Sequence, residues 1–99
     1  MKEIKPDEVA KKVNSNESVS IIDVREDEEV AQGKISGATH IPLSELPDRL
    51  DEINQSIEHI MVCRSGGRSG KAYQLLDEQG YNVRNMTGGM LEWKDEVDK

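Results

Sequence analysis

The 99-residue chain holds one cysteine, Cys63, followed by Arg64-Ser65-Gly66-Gly67-Arg68-Ser69. A thiol becomes a strong nucleophile when it ionises, and inward-pointing peptide N–H groups, helix N-termini and cations favour ionisation. Adjacent glycines let a chain curl until successive N–H groups converge as an anion-binding nest. From His59 to Leu76 there is no Asp or Glu, although acids outnumber bases 20 to 13 overall. Arg64, Arg68 and Lys71 therefore form a positive island in a chain of net charge −7. A lone cysteine at a strand end is ordinarily an inert small hydrophobe, but such a residue needs neither paired glycines nor paired arginines. The expected chemistry is nucleophilic attack by Cys63 on an anionic substrate held by Arg64 and Arg68. The N–H groups of Ser65, Gly66, Gly67, Arg68 and Ser69 are expected to stabilise charge on sulfur.

Such a loop has to be held by regular elements. Residues 58–62 form an apolar, strand-length run that ends directly before Cys63, and residues 18–24 form a similar β-branched run with little alternation. Both read as strands covered on two faces. Pro6 opens a helix over residues 6–13, with Val9 and Val13 on one face. The acidic segment 26–32 reads as a short helix ended by Gly33. A short strand is expected over 38–41, stopped at Pro42, and a helix over 43–53 restarting at Pro47. A helix from about Ser69 to Gln79 ends at Gly80, a strand follows at 82–85, and a closing helix at 89–97. Alternating strands and helices predict one α/β domain over residues 1–99, with a mainly parallel central sheet and helices on both faces. In such sheets the reactive groups sit in loops past the carboxyl ends of the strands.

The other polar residues have simpler readings. Asp23 and Arg25, at the end of the first apolar run, read as a structural ion pair or a carboxylate capping backbone N–H groups, ahead of a role in docking substrate. Glu28 and Glu29 read as a solvated helix face, with one of them available to Arg25. His40 is expected in loop packing and His59 within a strand; they are far apart in sequence and form no metal-ligand cluster, so neither a metal nor a cofactor is implied. Tyr73, Tyr81 and Trp93 are expected to fill the core. Gly88-Gly89 reads as a tight turn near the cysteine loop.

Composition narrows the partners. The net charge of −7 argues against a nucleic-acid backbone or an anionic membrane as the main partner. No apolar stretch approaches the roughly 20 residues of a membrane span. The first residues lack the apolar region of a secretory signal, and a single cysteine rules out an internal disulfide. The cytoplasm is the expected compartment.

Four motifs in order resemble the rhodanese family of sulfurtransferase domains. They are Asp23-Val24-Arg25 with Glu28-Glu29, the run from Gly33 to Pro42, the loop from Cys63 to Arg68, and Thr87-Gly88-Gly89-Met90-Leu91-Glu92-Trp93. Lys34 departs from the pattern, since many relatives have histidine there, and is expected outside the pocket. The resemblance implies that Cys63 takes sulfur from a small anionic donor such as thiosulfate, becomes a persulfide, and passes the sulfur to a thiol, a protein acceptor or cyanide. Cysteine-dependent phosphatases place the arginine one position further on, where this chain has Ser69, so the smaller ring favours sulfur over phosphate. A rhodanese-like module that only binds a partner protein is the alternative reading, and the intact cysteine loop favours the enzyme.

Overall fold

Isoleucine and valine runs become the strands of a parallel sheet in the computed structural model, which describes residues 1–99. The strands are β1 (Glu3–Ile4), β2 (Ser20–Asp23), β3 (Thr39–His40), β4 (Glu58–Val62) and β5 (Asn82–Met86). They lie in the order β1-β5-β4-β2-β3, and every pairing is parallel. Side chains alternate across the pleat, so the sheet has two cores. Ile21, Ile60 and Val62 pack with Val9 of α1 (Pro6–Asn14) and with Met86. Ile22, Val24, Met61 and Cys63 pack with Ala72 and Leu76 of α3 (Gly67–Glu78). Each fully buried aliphatic side chain contributes about 1.5–3 kcal/mol.

The α/β class and the helices on both faces agree with the sequence reading. Helix α1 has Pro6 in its first turn, with Asp7 and Glu8 near the positive end of its dipole and Lys11 and Lys12 near the negative end. Helix α2 is a single short turn, Asp27–Ala31, closed at its start by a reciprocal Glu26–Glu29 capping box. Tyr73 and Tyr81 are buried, and Trp93 packs against the α1-side core.

Three local expectations need correction. The segment expected as a helix over 43–53 is two 3₁₀ turns, Leu43–Asp48 and Leu50–Glu52. Pro47 has no N–H to extend an α-helical ladder, and the turns close through short-range bonds such as Glu45 N–H to Pro42 O at 2.9 Å. The closing helix expected over 89–97 is a 3₁₀ turn, Gly89–Glu92. Beyond it the chain extends, and Lys34 and Asp98 exchange two backbone hydrogen bonds of 2.9 and 2.8 Å. Helix α3 begins at Gly67, two residues early, because Gly66 takes the left-handed turn alone and leaves Gly67 helical. Strand β1 is too short to leave a periodic signal in the sequence.

Sheet order also explains where a site can form. From β2 the chain moves to β3 on one side, and from β4 it moves to β5 on the other. This reversal opens a crevice beyond the carboxyl ends of β2 and β4. Asp23 pairs with Val62 across those strands, and Val24 N–H donates to Val62 O at 2.9 Å. The register therefore sets the Asp23–Arg25 segment beside Cys63.

Candidate active site

Cys63 leaves β4 and is fully buried, with its sulfur turned into the loop that follows. Gly66 adopts φ +106°, in the left-handed region, and this reversal points its N–H at Cys63 Sγ, 3.0 Å away. Ser69 Oγ lies 3.3 Å from the same sulfur. Burial pushes the thiol pKa up. The Ser69 hydroxyl and the N–H groups of Ser69, Gly66 and Ser65 outweigh it, and the pKa falls below its ordinary value. Three of the five amides expected to stabilise sulfur charge thus act on the thiol itself. The amides of Gly67 and Arg68 lie in the first turn of α3, where a helix leaves its N–H groups without intrahelical acceptors.

The two arginines differ. Arg64 is exposed at the rim of the loop. Arg68 is half-buried and gripped by Glu29, whose two carboxylate oxygens accept from Nη1 at 2.6 Å and Nη2 at 2.8 Å. Hydrogen bonding from Arg68 lowers the Glu29 pKa to about 2. The reading of Glu29 as part of a solvated helix face is therefore corrected, because helix α2 turns it inward to the loop; Glu28 is exposed.

Asp23 and Arg25 form a buried ion pair. Arg25 Nε and Nη2 reach the Asp23 carboxylate at 3.0 and 2.8 Å, while Nη2 also donates to Gly33 O at 2.8 Å and Nη1 to Glu29 O at 3.4 Å. One guanidinium thus ties the end of β2 to α2 and the turn after it, which carry Glu29. His40 Nε2 bonds Arg25 O at 2.7 Å, and Lys34 Nζ donates to Ala38 O at 2.9 Å. His59 is held within β4 between Ser20 Oγ at 2.7 Å and Asn54 O at 2.6 Å.

One residue escaped the sequence reading, while the Gly88-Gly89 turn stands beside the cysteine loop as expected. Asn85 on β5 is buried, with Oδ1 2.5 Å from Ser69 Oγ and Nδ2 donating to Gly66 O at 3.3 Å. An asparagine two residues after Val83, on the same face of a strand, was a signal, since a buried amide must find partners. The Gly88-Gly89 turn has φ values of +74° and +59°. It presses directly on the active loop, with Met90 N–H donating to Cys63 O at 2.8 Å and Leu91 N–H to Arg64 O at 3.0 Å. A cleft of about 570 Å³ lies nearby, lined by Lys5, Pro6, Thr87 and Glu92 among others, but it does not include Cys63.

A short loop that curls amides around a strand-end thiol, braced by an acid from the neighbouring crossover, matches a known domain along nearly the whole chain. The sequence profile of the rhodanese-like domain covers residues 5–96. The chain belongs to the rhodanese-like domain family. It is similar to a putative sulfurtransferase, YtwF, of Bacillus subtilis, with 41% identity over 98% of this chain and 94% of that one. A sulfurtransferase of Allochromatium vinosum is 36% identical over 92% of this chain and 86% of its own length. The crystal structure of a rhodanese-like domain protein from Staphylococcus aureus superposes with a TM-score of 0.93 at 39% identity, covering 99% of this chain and 97% of that one. These relationships support sulfur transfer as the general activity. No helix is long and apolar enough to cross a membrane.

Proposed function

We propose that the protein moves sulfane sulfur through a persulfide on Cys63. The Cys63 thiolate attacks the outer sulfur of thiosulfate or of a persulfide donor. The bond from that sulfur to its carrier breaks, and the electron pair departs with sulfite or with a thiolate. Cys63–S–S⁻ remains, and a thiol, a protein acceptor or cyanide takes the terminal sulfur and regenerates the thiolate. Arg64 meets the charged end of the donor at the rim. The amides of Gly67 and Arg68 are free to hold the terminal sulfur of the persulfide. Asp23 and Arg25 act at a distance as structural support. The single free thiol suits a reducing compartment such as the cytoplasm.

The observation that carries this reading is the Gly66 N–H aimed at Cys63 Sγ at 3.0 Å, with the Ser69 hydroxyl 3.3 Å from the same sulfur. A peptide N–H at that distance stabilises an anion on sulfur, which an inert core cysteine does not require. The test is whole-protein mass spectrometry after incubation with thiosulfate or a thiol persulfide. Wild type gains the mass of one sulfur atom and loses it to an added thiol, whereas Cys63→Ser folds by circular dichroism and gains nothing. Sulfur turnover by Cys63→Ser would overturn the proposal.

A further inference from the structure

We infer that Glu29 determines the donor class: by occupying Arg68 it fits the Cys63 site to persulfides of thiols and against thiosulfate. The inference rests on the sulfur-transfer reading above and names the donor that reading leaves open.

Charge at the reacting centre is the reason. Attack on thiosulfate brings a thiolate and a dianion together, so three negative charges meet. Attack on a thiol persulfide brings together the thiolate and a group of one negative charge at most. Cys63 is fully buried, so only the outer sulfur of a donor reaches it and the charged carrier group stays at the rim. Arg64 is exposed there and Arg68 is close enough for the Cys63 charge to act on it, but the Glu29 carboxylate cancels the charge of Arg68 through two short hydrogen bonds. The two side chains expose only 33% and 27% of their surface, so solvent screens the pair less than a surface ion pair. Glu29 is also fixed from behind, since its Oε1 accepts from Glu26 N–H at 3.0 Å. With its pKa lowered to about 2, it stays ionised across the neutral range. Glu26 adds a further negative charge close enough to act on Arg68. Arg64 is then the one arginine of the loop without a carboxylate partner, in a protein of net charge −7.

Removing the Glu29 charge tests this. In a water-like medium, an uncompensated unit charge about 6 Å from a dianion favours its binding about tenfold, and a monoanion by about threefold. The probes are thiosulfate and the persulfide of a small thiol with no other charged group, each followed by the rate at which Cys63 gains sulfur. Glu29→Gln is expected to raise kcat/KM for thiosulfate relative to the persulfide by about threefold or more, most strongly at low salt. Arg68→Gln, which leaves the Glu29 carboxylate unopposed, is expected to move the ratio the other way. A purely structural role would change both donors in parallel, because loosening the loop does not distinguish carrier charge. A ratio within twofold of wild type in both variants, or a fall in Glu29→Gln, overturns the inference. If wild-type Cys63 gains sulfur from neither donor, the sulfur-transfer reading fails, and the inference fails with it.

Discussion

Gly89→Ala would set a Cβ 2.5 Å from the carbonyl oxygens of both Cys63 and Arg64. Two penalties combine there. Alanine at φ +59° carries a left-handed backbone, at about 1–2 kcal/mol. The second arises because the obstructing atoms are backbone and cannot swing aside. The turn must shift, straining the hydrogen bonds from Met90 N–H to Cys63 O and from Leu91 N–H to Arg64 O. Each such bond contributes about 0.5–1.5 kcal/mol, so the expected loss is about 2–5 kcal/mol. Gly37→Ala isolates the first penalty, because Gly37 has φ +82° and nothing within 4 Å of an added Cβ. Gly88→Ala should fall between the two, since the nearest atoms to the added group belong to the Glu92 side chain, which can move, although its Cγ stands only 2.9 Å away. Against a total stability of about 5–15 kcal/mol, the difference is readily measured by urea unfolding. The same displacement moves the peptide that aims Cys63, so sulfur loading of folded Gly89→Ala should slow by about tenfold or more. A Gly89→Ala loss no larger than that of Gly37→Ala would refute the clash argument.

Ser69→Ala removes the hydroxyl hydrogen-bonded with Cys63 Sγ, which lowers the thiol pKa, so the pH midpoint for alkylation by iodoacetamide should rise; an unchanged or lower midpoint contradicts the assigned role. Because the folded thiol pKa is depressed, its stabilising contribution is present above the unfolded value and lost as pH falls through the folded one. Ser69→Ala should therefore lose this contribution mainly at alkaline pH, as read from urea midpoints. Asp23→Ala strands the Arg25 guanidinium, which is only 6% exposed, and should destabilise by about 3–5 kcal/mol in urea; a loss below about 1 kcal/mol would show a pair of surface character.

Much of the site was legible because its signals are local. Cys63, the glycine pair and the arginines are contiguous, and the loss of acidic residues around them is visible without any fold. Strands β2 and β4 announced themselves by β-branched runs, and β4 fixes the loop at its own end. The helix over 43–53 was misread because apolar spacing there is compatible with a helix, while Pro47 decides which hydrogen bonds are possible. The closing helix was misread because the chain extends from Trp93 onward, and the backbone of Asp98 pairs with Lys34, far back in the sequence, in place of a helical ladder.

The amino-acid order alone determined the reactive thiol, the curl that follows it and the parallel α/β layout, since each depends on neighbouring residues and on periodicity along one element. Only the tertiary structure decided that Glu29 neutralises Arg68, that Asn85 supports Ser69, and that Arg25 ties β2 to α2. All three join different elements. Glu29 and Glu28 are both acidic residues on one short helix, and nothing in their immediate neighbours says which faces the loop. The crossover geometry brings Glu29 within 2.6 Å of Arg68 and leaves Glu28 in solvent. Charge pairing acts through space, so the partner of Arg68 becomes readable only once the strands are in register.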